Sequence, residues 1–99
     1  MKYFKIQINS EAYQDIQEGV DWYNKQRKGL GKEFHLEVKD GFEKLKYLSF
    51  FQIRYDQTRC LPLKRFPFMI HYTVDQKKEL IIVSAVFNTF RNPDVWKNR

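Results

Sequence analysis

The sequence predicts an α+β fold: an N-terminal strand, an α-helical hairpin packed on one face of an antiparallel sheet, and a short C-terminal helix. Three observations predict it. Two consecutive segments in the first half carry apolar residues at steps of three and four, separated by Gly29-Leu30-Gly31. The second half alternates apolar and polar residues between turn-forming stretches, the period of a strand. Asn92-Pro93 then opens a last short segment in the way a helix starts, Asn92 as N-cap and Pro93 in the first turn.

Each element follows from its residues. From Lys2 to Ile8, Phe4, Ile6 and Ile8 share one face and Lys5 and Gln7 the other, a half-buried strand. Ser10 is a suitable N-cap for the first helix, and Glu11 suits its positive end. Along that helix Ala12, Ile16, Val20 and Tyr23 form one apolar stripe, and Glu11, Asp15, Glu18 and Asp21 an acidic one read as a solvated face. The glycine pair ends it. A second helix, from Lys32 to Leu48, stacks Phe34, Val38, Gly41, Leu45 and Leu48, with Gly41 expected to admit the first helix closely.

The remainder reads as strands. Residues 51–63 hold one or two, interrupted near Asp56-Gln57, with Pro62 pointing to an edge or a bulge. Phe66-Pro67 turns the chain into a strand from Phe68 to Val74. Asp75 to Lys78 forms a polar turn, and Glu79 to Asn88 is the most apolar strand. Alternation places Phe68, Ile70, Tyr72 and Val74, with Ile81, Val83, Ala85 and Phe87, toward the helices. Met69, His71, Thr73, Ser84 and Asn88 then fall on the opposite face, expected to be open, polar and basic.

Composition bounds the function. Ninety-nine residues fit a single domain, 1–99, and 42% apolar with 17% aromatic content excludes a disordered chain. The lone Cys60 excludes an internal disulfide and suits a reducing compartment. No apolar run reaches the ~18 residues of a membrane span, and the N-terminal MKYFKIQINS is too polar for a signal peptide, so a cytoplasmic protein without membrane contact is expected. The net charge is +6, and it is uneven: residues 1–50 hold nine Lys/Arg against eight Asp/Glu, residues 51–99 nine against four. Such a field favours an anionic partner.

Most catalytic patterns are missing. The four glycines do not form a phosphate loop, and one Cys with His35 and His71 lacks metal-ligand spacing, so no metal or cofactor is expected. One chemistry remains. Arg59, Lys64, Arg65 and Arg91 supply charge for a phosphodiester transition state, with His71 to move a proton. Tyr55, Phe90 and Trp96 are candidates to stack bases; packing is the simpler role for each.

An ordered set of residues then resembles a known family. Trp22-Tyr23 precedes Gly29-Leu30-Gly31 and Phe34. Arg59 precedes Lys64-Arg65-Phe66-Pro67-Phe68 and Met69-Ile70-His71-Tyr72. Ala85-Val86-Phe87-Asn88 is followed by Arg91-Asn92-Pro93 and Trp96 to Arg99. Over nearly the whole chain this is similar to the RelE/ParE superfamily of type II toxins, in its ParE-like, plasmid-stabilisation branch. The resemblance implies a small bacterial toxin, growth-inhibiting when free, that forms a hetero-oligomer with a cognate antitoxin docked on the helical hairpin or the sheet edge. It implies a target as well: DNA gyrase, held by binding alone, or the ribosome and its mRNA, cleaved in the RelE manner. Arg59 and Arg91 fall where the ParE-like pattern carries arginine. Met69 stands where RelE-like chains carry arginine, Trp96 where they carry tyrosine, and Asn88 where many ParE-like chains carry histidine; these departures weaken the nuclease reading. The residues implied for target binding are Arg59, Arg65, Asn88, Arg91, Trp96 and Arg99. A plain RNA-binding sheet domain is a third reading, disfavoured because Met69, His71, Thr73 and Ser84 do not form a stacking platform.

Overall fold

Apolar spacing builds two long helices that pack side by side. The structure, a computed structural model, describes residues 4–47, 53–55 and 57–90. The elements are β1 (Lys5–Ile8), α1 (Ser10–Gln26), α2 (Leu30–Tyr47), β2 (Ile53–Tyr55), β3 (Thr58–Pro62), β4 (Phe68–Asp75) and β5 (Leu80–Asn88). The short C-terminal helix expected from Asn92 lies outside the described residues, whose last element is a strand. No helix among the described residues is long and apolar enough to cross a membrane.

The hairpin forms as its residues dictate, with two shifts in detail. Asn9, not Ser10, holds the N-cap position of α1, and its carbonyl accepts the Ala12 and Tyr13 amides. The Ser10 hydroxyl is instead 3.2 Å from a Glu11 carboxylate oxygen. The inter-helix turn needs Gly29, whose φ of 88° lies in the left-handed region. Asn24 closes the turn by accepting the Gly31 amide at 2.9 Å, so α2 begins at Leu30, two residues earlier than expected. Gly41 does not face α1. A Cβ there would lie 2.6 Å from Ile70 Cδ1, so its missing side chain lets α2 approach the sheet.

The five strands lie in the order β1-β5-β4-β3-β2. The sheet is mixed, not wholly antiparallel: β1 runs parallel to β5, pairing Ile6 with Ile81 and Ile8 with Val83, while the other neighbours are antiparallel. β2 to β5 form an antiparallel meander, and β1 joins it on the outer side of β5, its last strand. The helices cover one face, with Ala12, Ile16, Phe34, Val38 and Leu45 packed on Leu61, Ile70, Tyr72, Ile81 and Val83. Phe34 sits among Tyr23, Phe66 and Phe68 at ring separations of 5.3, 5.4 and 4.7 Å. Burying one such phenyl ring stabilises the fold by about 1.5–3 kcal/mol.

A β-bulge changes which residues of β5 face the helices. Tyr72 pairs with Val83 and His71 with Ala85, so Ser84 is the extra residue, its hydroxyl donating to the His71 carbonyl at 3.3 Å. Beyond the bulge Val86, opposite Ile70, takes the core position. Ala85 and Phe87, expected to face the helices, therefore point to the other face with His71 and Met69. That second face is not open and polar there. Cys60, His71, Ala85 and Phe87 are all buried, with Cys60 Sγ 3.7 Å from His71 Nδ1 and the His71 and Phe87 rings edge to face at 5.2 Å. In β4 the alternation itself is as expected; what differs is the polarity of the face it builds.

Candidate functional site

Two seams join the helical hairpin to the sheet, and each opens into a cleft. At the first, α1 meets the end of β5. The Val86 amide, set beyond the bulge, donates to Asp15 Oδ2 at 3.0 Å. Asp15 is only 7% exposed, so it departs from the solvated acidic stripe expected of α1, whose Glu11, Glu18 and Asp21 are exposed. A signal was present: Asp15 shares its helix face with the small residues Ala12 and Gly19, both buried, and a Cβ at Gly19 would lie 2.6 Å from the Phe34 ring of α2. The adjoining cleft, about 400 Å³, is lined by Asp15, Glu18, Trp22, Phe68, Asn88 and Phe90 among others. Trp22 is 50% exposed and Phe90 85%, so aromatic surface stands beside the acids. Asn88 Oδ1 accepts the Phe90 amide at 2.8 Å, which turns the chain out of β5.

At the second seam, α2 holds the loop between β3 and β4. Glu37 Oε1 accepts the backbone amides of Lys64 and Arg65 at 2.8 and 3.0 Å. Glu33 bridges two guanidinium groups, Arg65 at 2.7 Å and Arg27 at 3.0 Å. These bonds, that from Arg65 first, hold the Glu33 carboxyl below its ordinary range, and the same pairing raises Arg65. The Arg65 guanidinium carbon also lies 5.3 Å from the centre of the Phe66 ring. A cleft of about 640 Å³ runs beside this loop, lined by Leu36, Glu37, Gly41, Leu61, Leu63 and Lys64 among others. Neither glutamate was singled out in the sequence; only folding brings them to residues some thirty positions away.

The candidate residues are thus distributed rather than gathered. Lys64 and Arg65 line the second cleft, on the side of α2. Asn88 lines the first. His71 is 0% exposed, on the sheet face away from the helices. Arg59 is half-buried in β3, paired in register with Tyr72 and two positions from the core residue Leu61, which puts it on the helix side by alternation. Arg91, Trp96 and Arg99 lie outside the described residues, as does the side chain of Tyr55. Among the described residues no group of three or more His, Cys, Asp or Glu could hold a metal ion.

With this geometry in view, solved structures place the fold. The chain is similar to a chain of the chromosomal ParDE toxin–antitoxin system from P. aeruginosa, with a TM-score of 0.77 and 14% identity over 87% of this chain and 96% of that one. It is similar to a chain of the RelBE toxin–antitoxin complex from E. coli, with a TM-score of 0.64 and 15% identity over 90% and 99%. The RelBE2 toxin–antitoxin complex from Mycobacterium tuberculosis gives 0.62 and 13% over 89% and 93%. The chain therefore shares its fold with these chains over 87–90% of its length. No protein-family model and no curated protein matches the sequence.

Proposed function

We propose that this protein is the toxin of a type II toxin–antitoxin pair, that a cognate antitoxin neutralises it, and that it acts by binding its target, DNA gyrase. The observation that carries the toxin reading is the match in fold, over 87–90% of this chain, to chains of ParDE and RelBE toxin–antitoxin complexes. The reading of the target rests on the distribution of the cationic and proton-bearing groups. A phosphodiester cleavage centre needs its charges and its proton carrier around one reacting atom. Here Arg65 is committed to Glu33 beside α2, and His71 is buried on the other face of the sheet. Separated groups suit a recognition surface better than a nuclease centre. An acidic antitoxin segment would complement the +6 charge, folding as it binds.

Expression without the antitoxin, with plasmid supercoiling and mRNA integrity followed together, tests this. Growth arrest with altered supercoiling and intact messages is the expected result. Cleaved messages with normal supercoiling would replace it with the RelE-like endonuclease, and unimpaired growth would remove the toxin reading. Replacing both Arg59 and Arg91 with Ala is expected to relieve toxicity while the domain stays folded; full toxicity of the soluble double variant would exclude them from the target surface.

A further inference from the structure

A third cleft, away from both seams, lies on the outside of the helical hairpin near its turn. It measures about 670 Å³ and is lined by Gln17, Val20, Asn24, Lys28, Lys32 and His35, together with Gly29 and Gly31. Lys32, His35 and Lys39 recur at steps of three and four, so they stand on one face of α2, and Lys28 precedes them in the turn. All four are exposed. Among the described residues none of the four is in an ion pair, whereas Arg27, Lys46 and Arg65 each hold a glutamate. Three of the four acids of α2, Glu33, Glu37 and Asp40, line the cleft beside the β3–β4 loop, and the fourth, Glu43, four residues on from Lys39, is paired with Lys46 at 3.0 Å. The nearly neutral first half of the sequence thus carries a local excess of positive charge at the hairpin turn, bordered on α1 by Asp21, which accepts Gln17 Nε2 at 2.9 Å.

We propose that this face of the hairpin, Lys28, Lys32, His35 and Lys39, binds the phosphate backbone of a nucleic acid. Three features select that partner. Lys32 and Lys39 are about 10 Å apart along the helix axis, with His35 between them, so the face offers a row of donors to successive phosphates of a strand and not a single anion pocket. Asn24 spends its carbonyl oxygen on the Gly31 amide, which leaves its NH₂ group to donate. The cleft offers Val20 as its one large apolar side chain, while the two seam clefts carry Trp22 and Phe90 or Leu36, Leu61 and Leu63. Protein partners draw most of their affinity from buried aromatic and aliphatic anchors, whereas backbone phosphates are held by cations and amides alone. The site does not rest on the toxin reading, because its test needs neither antitoxin nor toxicity.

The test uses the full chain and fluorescence anisotropy with labelled 20-nucleotide RNA and DNA of mixed sequence, over a salt series. Replacing Lys28 and Lys32 with Ala is compared with replacing Lys77 and Lys78, an equal loss of charge on the β4–β5 turn. The first pair is expected to weaken binding about tenfold and lower the slope of log affinity against log salt by about two; the second is expected to change binding less than about twofold. A second pair, His35→Gln with Lys39→Ala, should follow the first, and guards against a folding defect that circular dichroism would reveal. Equal losses from the two lysine pairs would show a response to net charge alone and overturn the site. So would polyglutamate competing as well as oligonucleotide at equal charge, which would make the partner an acidic protein, or inorganic phosphate competing at equal phosphate concentration, which would make it a small-anion site.

Discussion

The two seams that join the hairpin to the sheet use the same chemistry in opposite settings. At each, a carboxylate on a helix accepts backbone amides from the sheet half. Asp15 does so in a buried seam, against Val86, the two residues 7% and 2% exposed. Glu37 does so at an exposed loop, with Glu33 and Arg65 beside it as a surface ion pair. Burial therefore sets what each bond contributes. Losing a buried acceptor strands a donor, while an exposed amide can turn to water.

Mutations can break that contrast, beginning at the buried seam. Asp15→Ala is expected to cost about 2–3 kcal/mol in urea unfolding, because the nearly buried Val86 amide loses a charged acceptor. Asp15→Asn keeps an oxygen there and should recover a good part of that loss; equal losses from the two would mean that packing, not the hydrogen bond, holds the seam. Glu37→Ala, at the exposed loop, is expected to cost about 1 kcal/mol by the same measurement. A larger cost than that of Asp15→Ala would reverse the ranking of the seams.

The smallest effect concerns pH. The Glu33 carboxyl is held below its ordinary value of 4.5, so the folded state favours its charged form. Its contribution is present above that pH and is lost as the pH falls through the lowered value of the folded state. The wild type should accordingly exceed Glu33→Gln in Tm at neutral pH by a small margin that closes in acid and shrinks in high salt. A margin that widens in acid would contradict the pairing.

The hairpin was legible because a helical stripe is redundant. Ala12 and Ile16 on α1, and Phe34, Val38 and Leu45 on α2, repeat the same message over several turns, and all of them are buried. The β1 and β4 alternations were legible for the same reason. β5 was not. Its run from Leu80 to Phe87 is interrupted only by Ser84, and a continuous apolar run carries no phase. One extra residue at Ser84 exchanges Val86 for Ala85 and Phe87 against the helices. The candidate site was legible as a set of residue types, Arg59, Lys64, Arg65, His71 and Asn88, but not as a place. Lys64 and Arg65 go to one cleft, Asn88 to another, His71 to a buried face and Arg59 to the helix side of β3, a division that depends on which sheet face each strand presents.

By itself the sequence determined the element order, the helical hairpin and its core stripes, and a positive charge suited to anionic partners. These are sums and periodicities over neighbouring residues, which local chemistry decides. The tertiary structure alone decided the parallel β1–β5 pairing, the bulge at Ser84, the carboxylate clamps from Asp15 and Glu37, and the unpaired cationic face from Lys28 to Lys39. Each of these depends on contacts between residues far apart in the chain, or on which opposite charges are drawn away to other partners, and such pairings exist only once the helices have settled on the sheet.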